Sequence, residues 1–379
     1  MFKYLLLPVL CFVTIGIAQA QTTKTAVQYY NDGIKLQDDE KYTESLAAFK
    51  KAIAKNPNYK EALYSAGWTC NELKKYSEAL PFLQKAKLLW PNEAKVYLET
   101  GYALESLGKK DEAIENYNKC LSLKSDYALA YKYLGNVYYD DYNYKKCLEN
   151  LETYLEYKPD SEDSDVYYRK AVSENELDKF EDALVSINMA ISLKPNNVKM
   201  INEQGYTHYL LKNTDEAMAS YNKAISIDPK SLTALNGRAD VYRKLKKDAT
   251  EAIKQYAKTL QIDPKNTKAN YWTGWCYNDL GKYNDAVPFL KKVIEVDDQY
   301  VSAYTELGYC DYALKNYDDA LYYFKKAFAI EKTALNVYYT GLCYVGKKQK
   351  NEALKMVTEL KDMKSDYAQD LQEAIDKMQ

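Results

Sequence analysis

The sequence predicts an all-α solenoid. Three observations carry that reading: a period of about 34 residues running almost from end to end, apolar residues three and four apart within each period, and prolines confined to places where a helix starts or stops. The stretch from Glu61 to Glu93, EALYSAGWTCNELKKYSEALPFLQKAKLLWPNE, shows the unit most plainly. It reads as two short amphipathic helices joined by a tight turn, with Gly67 on the first, Ala79 on the second and Pro91 near the close.

The first twenty residues differ from the rest. Lys3 precedes the apolar run YLLLPVLCFVTIGIA, and the segment closes on Ala18-Gln19-Ala20 before Gln21. A short positive head, an apolar body and an A-x-A site describe a secretory signal peptide over residues 1–20. Cys11 follows Val9-Leu10 rather than a small residue, so no lipid anchor is expected. The mature chain is therefore expected to be exported, periplasmic or secreted. No later run is long enough to span a bilayer, so no transmembrane span is expected after cleavage.

Aligning the units on the small residue of the second helix gives Ser45, Ala79, Ala113, Cys147, Ala183, Ala217, Ala252, Ala286, Ala320 and Ala353. Successive spacings are 34, 34, 34, 36, 34, 35, 34, 34 and 33. A glycine sits twelve residues before most of them (Gly33, Gly67, Gly101, Gly135, Gly205, Gly274, Gly308, Gly341), and a large apolar side chain follows four residues after each. Ten units result: 26–59, 60–93, 94–127, 128–163, 164–197, 198–231, 232–266, 267–300, 301–333 and 334–367. A glycine inside a first helix costs about 1 kcal/mol against alanine, so its recurrence implies close approach of the second helix. Pro57, Pro91, Pro159, Pro195, Pro229 and Pro264 close units. Pro81 and Pro288 are expected in the first turn of a second helix, behind caps Ser77 and Asn284.

The exceptions are local. The 36-residue unit carries extra residues in Asp160–Asp165, which an inter-repeat linker with helix caps explains better than a calcium loop. The 35-residue unit is expected to lengthen its internal turn around Lys246-Lys247-Asp248. Tyr367, Leu371, Ile375 and Met378 mark one face of a final capping helix, of which 368–379 is the C-terminal end.

The order Leu63, Gly67, Tyr76, Ala79, Leu83, Ala86, Pro91 resembles the tetratricopeptide repeat (TPR), as does Gly205, Ala217, Tyr221, Ala224, Pro229. The resemblance covers residues 26 to about 367. It implies antiparallel helix pairs stacked into a right-handed superhelix, with positions two, five, six, nine, twelve and thirteen of each first helix facing a concave groove. Those slots hold Tyr30, Tyr64, Trp68, Tyr102, Tyr133, Tyr139, Tyr168, Tyr206, Tyr209, Tyr271, Trp272, Trp275, Tyr309, Tyr312, Tyr338 and Tyr339. Asn71, Asn136, Asn175, Asn202, Asn236 and Asn278 are interleaved with them. Some TPR domains clamp a chaperone's C-terminal carboxylate with lysine, asparagine and arginine. Here Lys132, Asn136 and Lys199 match that set, but Arg169 and Glu203 break it, and a glutamate repels a carboxylate.

Little in the sequence points to catalysis. His208 is the only histidine, no glycine-rich phosphate loop occurs, and no metal site or cofactor is expected. The near balance of charge, -2 overall, argues against nucleic acid as partner. Six cysteines remain after signal cleavage, in slots where small buried residues are usual, so they are expected as free thiols; a Cys120–Cys147 bridge is the exception to check.

The expected function is therefore a non-enzymatic interaction scaffold of the cell envelope that binds a protein or peptide. Tyr64, Trp68, Tyr102, Asn136, Tyr168, Tyr206, Tyr209, Tyr271, Trp272, Trp275, Tyr309 and Tyr312 would line the groove. Aromatic faces beside asparagines would also suit a glycan or peptidoglycan ligand, and self-association remains a third possibility.

Overall fold

The structure is a computed structural model that describes residues 24–378, so the expected signal peptide lies outside the described residues. Twenty-one α-helices account for the regular structure described, with one π-helical turn. In chain order they are α1 (Ala26–Asp38), α2 (Tyr42–Lys55), α3 (Lys60–Glu72), α4 (Tyr76–Leu89), α5 (Ala94–Ser106), α6 (Lys110–Leu123) and α7 (Ala128–Asp140). Next come α8 (Tyr144–Tyr157), α9 (Ser164–Glu176), α10 (Phe180–Leu193), α11 (Val198–Leu210), α12 (Thr214–Ile227), α13 (Leu232–Asp240) and α14 (Ala249–Ile262). The chain ends with α15 (Thr267–Asp279), α16 (Tyr283–Val296), α17 (Val301–Ala313), α18 (Tyr317–Ile330), α19 (Ala334–Gly346), α20 (Lys350–Asp362) and α21 (Tyr367–Asp376).

The chain divides into two compact units, one reaching Asp141 and including Thr153–Lys158, the other holding Tyr142–Glu152 and everything from Pro159. Within the first, α1 packs on α2, α3 on α4 and α5 on α6, and each second helix also packs on the first helix that follows it. The second unit repeats the scheme from α9 to α20, and α21 closes it against α19 and α20. First helices also touch one another directly, as α3 does α5 and α15 does α17. The fold is all-α, built of stacked helical repeats.

A single interaction recurs inside the pairs. A Cβ on Gly67 would lie 2.5 Å from Leu83 Cγ, and one on Gly101 would lie 2.5 Å from the Tyr117 ring. Each glycine thus faces the large side chain sixteen residues on, and the pair closes because the glycine has no side chain. Gly341 departs from this rule, since the side chain over it is Leu371 of α21.

The turn between paired helices explains where the second helix begins. Lys74 is left-handed (φ 57), Lys74 N–H donates to the Asn71 carbonyl (2.9 Å) and Lys75 N–H to that of Cys70 (2.8 Å), a Schellman arrangement. The Lys75 carbonyl already accepts from Ala79 N–H at 3.0 Å, so α4 starts at Tyr76 with Lys75 as its cap. The expected caps Ser77 and Asn284 are therefore corrected. Both lie inside their helices, and Pro81 and Pro288 are sixth helical residues, past the first turn. Lysine, glutamate and aspartate occupy most of the left-handed positions; Gly108 (φ 75) and Gly281 (φ 68) are the glycines there.

Both long units differ in instructive ways. The extra residue of the 35-residue unit lies before the turn, in a π-helical turn over Val241–Leu245, where Lys246 N–H reaches the Val241 carbonyl at 3.0 Å. Ahead of α9, the Asp163 carboxylate accepts from Asp165 N–H (3.0 Å) and Ser161 Oγ from Asp163 N–H (3.3 Å), which makes this segment a capped linker. In α21 the buried residues are Ala368, Leu371 and Ile375; Tyr367 is exposed and stacks on Tyr338 at 4.8 Å instead of entering the core. Cys70, Cys120, Cys276, Cys310 and Cys343 are buried and unbridged, so no Cys120–Cys147 bond forms. Burial pushes the Cys310 thiol up to about 12, and it donates to Asn278 Oδ1 at 2.8 Å.

Two glycines seven residues apart separate packing from conformation. Gly108 has nothing within 4 Å, so Gly108→Ala should cost about 1–2 kcal/mol from the left-handed backbone alone. Gly101→Ala must displace the Tyr117 ring, and about 1–3 kcal/mol of overpacking outweighs alanine's better helix propensity. Urea unfolding followed by circular dichroism checks both. Adding Tyr117→Leu should relieve Gly101→Ala and leave Gly108→Ala unchanged.

Candidate functional site

In the second unit, alternate helices α9, α11, α13 and α15 present their exposed edges side by side. They enclose a recess of about 530 Å³. Tyr168 comes from α9, Lys199, Glu203, Tyr206 and Tyr209 from α11, Gly237 and Asp240 from α13, and Lys268 from α15. Gly237 makes the depth. A Cβ there would lie 2.4 Å from the Tyr221 ring, so its absence leaves Tyr221 of α12 as part of the lining. Tyr206 and Tyr209 stack with ring planes 18° apart, and the Lys199 ammonium sits 4.2 Å from the Tyr168 ring centre. Tyr206 is 40% exposed, the most open aromatic of the group.

Asp240 ties one wall together. Its Oδ1 accepts from Tyr256 OH (2.5 Å) and from the Arg243 guanidinium (3.1 Å), while Oδ2 pairs with Lys268 at 2.7 Å. Arg243 also lies flat over Trp272, 3.5 Å from the ring centre, and within 5.9 Å of Trp275. Arg243 belongs to the π-helical turn, so the one-residue insertion sets where this guanidinium points.

The asparagines tie first helices together. Asn71 Nδ2 donates to the Glu99 carbonyl (3.0 Å) and Oε2 (2.8 Å), and Asn278 does the same to Glu306 (3.4 and 2.8 Å). Asn175 donates to Glu203 (2.7 Å) and Thr207 (2.9 Å), Asn202 to Ser231, and Asn236 to Asn266. All five are buried; Asn71, Asn175 and Asn278 join their repeat to the next, and Asn202 and Asn236 reach Ser231 and Asn266, the residues that cap the following first helix. At these positions the amide nitrogen is committed to the next first helix or its cap, while Asn202 and Asn278 also line the two recesses of this unit. Burial raises the Glu99 carboxyl to about 7 against the Asn71 hydrogen bond, with Glu72 adding to the rise. Burial likewise raises Glu203 and Glu306.

The structure distributes the expected site residues unevenly. Tyr168, Tyr206 and Tyr209 meet in the recess just described. Trp275 and Tyr309 line a second recess of about 610 Å³ with Tyr283 and Tyr339. Tyr312 packs on Tyr317 and Tyr339, and Trp272 lies beneath Arg243. Tyr271 is corrected from groove contact to core: it is 8% exposed, against Trp272 and Tyr300. In the first unit, Tyr64 receives Lys95 at 4.7 Å, Trp68 meets Tyr42, Tyr102 packs between Tyr76 and Tyr133, and Asn136 is half-buried on α7. Gly237, Asp240, Arg243 and Lys268 escaped the sequence reading. The 35-residue spacing and a glycine out of register at 237 were the signals that pointed to them.

Sequence profiles of the TPR repeat match residues 101–141 and 205–246, and one of the tetratricopeptide repeat matches residues 30–94. These segments are tetratricopeptide repeats. A profile described as anaphase-promoting complex, cyclosome, subunit 3 matches residues 246–327. No curated protein matches the chain in sequence. Among solved structures, the C-terminal part of a TPR repeat-containing protein from Cytophaga hutchinsonii is similar at 20% identity, over 63% of this chain and 97% of that one, with a TM-score of 0.50. That likeness concerns the fold. A tetratricopeptide repeat protein from Parabacteroides merdae matches at 17% identity over 65% and 98%, TM-score 0.48. YrrB, a TPR protein with an unusual peptide-binding site, matches at 24% over 49% and 95%, TM-score 0.46. Among the described residues no helix is long and apolar enough to cross a membrane.

The Glu99 carboxyl gives this architecture a pH signature. Its folded pKa of about 7 lies above the usual 4.5, so the folded state keeps a proton that the unfolded chain releases between those values. Stability is greatest below that window and falls as pH rises through it. Glu99→Gln keeps an acceptor for Asn71 and removes the charge. Its urea midpoint should match wild type near pH 5 and exceed it at pH 8, by up to roughly 3 kcal/mol in stability. An offset independent of pH would contradict the assignment.

Proposed function

We propose that this chain is a non-enzymatic scaffold, exported to the cell envelope, that holds an extended segment of a partner protein against the edges of its first helices. Tetratricopeptide repeats as a class mediate protein–protein contacts, and the geometry supports that role here. The observation that carries it is the recess over α9, α11, α13 and α15. Its lining combines tyrosine rings with lysines and carboxylates from five different helices, so a ligand there touches several repeats at once. Tyrosine supplies contact area at low entropic cost and keeps a polar tip for hydrogen bonding. Rigid repeats hold these side chains in place before a ligand arrives, which limits the ordering cost of binding. Export rests on the charged head, apolar run and A-x-A site of residues 1–20.

Tyr206→Ala/Tyr209→Ala removes the stacked pair while leaving the glycine contacts and the Asn–Glu bonds in place. Wild type immobilised in a cell-envelope extract should retain a defined protein partner, and the double variant, at equal helicity, should lose it. Retention of the same partner by both proteins would contradict the proposal. A response of tryptophan fluorescence to cell-wall oligosaccharide, with no protein retained, would replace it with glycan binding.

A further inference from the structure

One constellation of side chains occurs twice in this chain, 207 residues apart: Trp68, Glu72, Tyr76, Glu99 and Tyr102 in the first unit, and Trp275, Asp279, Tyr283, Glu306 and Tyr309 in the second. The contacts repeat with the residues. Tyr76 and Tyr102 meet edge-on at 5.9 Å and 82°, Tyr283 and Tyr309 at 5.9 Å and 79°. A further tyrosine closes each set, Tyr133 at 5.4 Å from Tyr102 and Tyr339 at 5.5 Å from Tyr309. In both, the previous repeat's asparagine holds one carboxylate oxygen of the glutamate at 2.8 Å.

The duplication is more than a by-product of the repeat. The Asn–Glu bond occurs a third time, between Asn175 and Glu203, and there the aromatic set is incomplete: Phe180 and Tyr206 keep the two paired ring positions, but Val172 and Gly237 stand where the tryptophan and the closing tyrosine would be. The bond therefore does not need the tryptophan or the closing tyrosine, and those two rings need another reason. Charge supplies one. The second-unit copy borders a recess of about 610 Å³ whose lining holds Asp279, Glu306 and four aromatic rings, with no lysine or arginine. The groups acting on Glu99 are burial, Asn71 and Glu72, and those acting on Glu306 are burial and Asn278. The lining of the second-unit recess thus supplies no counter-charge for carboxylates set beside ring faces. The chain itself shows what fills such a place, for Arg243 lies over Trp272 while bonded to Asp240.

We propose that each copy receives a basic side chain of the partner, arginine by preference, laid on the rings and paired with the two carboxylates, so that one chain carries two equivalent sites. Arginine fits because its planar guanidinium stacks and hydrogen-bonds at once. The proposal rests on the reading that first-helix edges receive a partner, and it specifies what that partner presents at these two places.

Each copy holds one tryptophan, which makes the two sites separately visible. The full chain, labelled at tryptophan indoles, is titrated at physiological salt with an acetylated and amidated decapeptide carrying two arginines among glycines and serines. A second peptide has norleucine for each arginine, and Trp→Phe variants assign the four indole signals. The Trp68 and Trp275 signals should move together with the arginine peptide and not with the norleucine one, while Trp90, between Lys60 and Lys95, stays fixed. Glu72→Gln/Glu99→Gln should weaken the Trp68 response about tenfold or more and spare Trp275, and Asp279→Asn/Glu306→Gln should do the reverse. Equal shifts with the norleucine peptide, or shifts indifferent to the carboxylates, would overturn the inference. So would the absence of any shift at millimolar peptide. If the tyrosine pair at 206 and 209 still governs partner capture in that case, the docking reading stands and only the basic-side-chain assignment falls.

Discussion

The close approach of two helices across a glycine is the contact on which the remaining structure depends. Most first helices give up a side chain at one position so that a ring or leucine from the second helix can fill the space, as Leu83 does over Gly67 and Phe324 over Gly308. A pair closed in this way has an apolar edge that only another pair can cover, and stacking follows. The arrangement also decides what is left over. With the glycine face turned to the second helix and the flanks turned to neighbouring repeats, one edge of every first helix has no structural partner in its own pair. Aromatic residues accumulate on that edge.

Polar ties then fix how one repeat follows another. Asparagine at the twelfth position of a first helix reaches a glutamate of the next, and the buried amide and carboxyl restrict the slide of one repeat past its neighbour. Repeat seven breaks the regularity. Its extra residue becomes a π-helical turn, Arg243 lands over Trp272, and Asp240 gathers Tyr256, Arg243 and Lys268 around one carboxylate. Gly237 nearby opens the recess down to Tyr221. The irregular repeat is thus where the stack gains its deepest concentration of mixed polar and aromatic groups.

Helices were easy to read from the sequence because glycine, the small residue twelve positions later and the large residue four beyond that are one contact seen three times. Their starts were harder. Ser77 and Asn284 look like caps in isolation, yet the backbone turn preceding them satisfies the helix and leaves the side chains idle. Side-chain roles on the first-helix edges were partly legible. Tyr206, Tyr209, Trp275 and Tyr309 do line recesses, whereas Tyr271 is buried and the asparagine amides bond to neighbouring first helices or their caps. Position along a helix gives a direction to within a sector, and at the sector's border only the neighbouring repeat decides between core and surface. The Asp240 cluster stayed hidden because a one-residue insertion was read as a longer turn rather than a rotated helix end.

The central claim is that binding occupies the first-helix edge and leaves the second-helix side bare. A photoreactive phenylalanine analogue at position 206 on α11 and, separately, at position 185 on α10, where Val185 is 71% exposed, compares the two surfaces directly in intact cells. The account predicts a discrete crosslinked partner from position 206 and none from position 185. Crosslinking of the same partner from position 185 alone would place binding on the opposite side and contradict it.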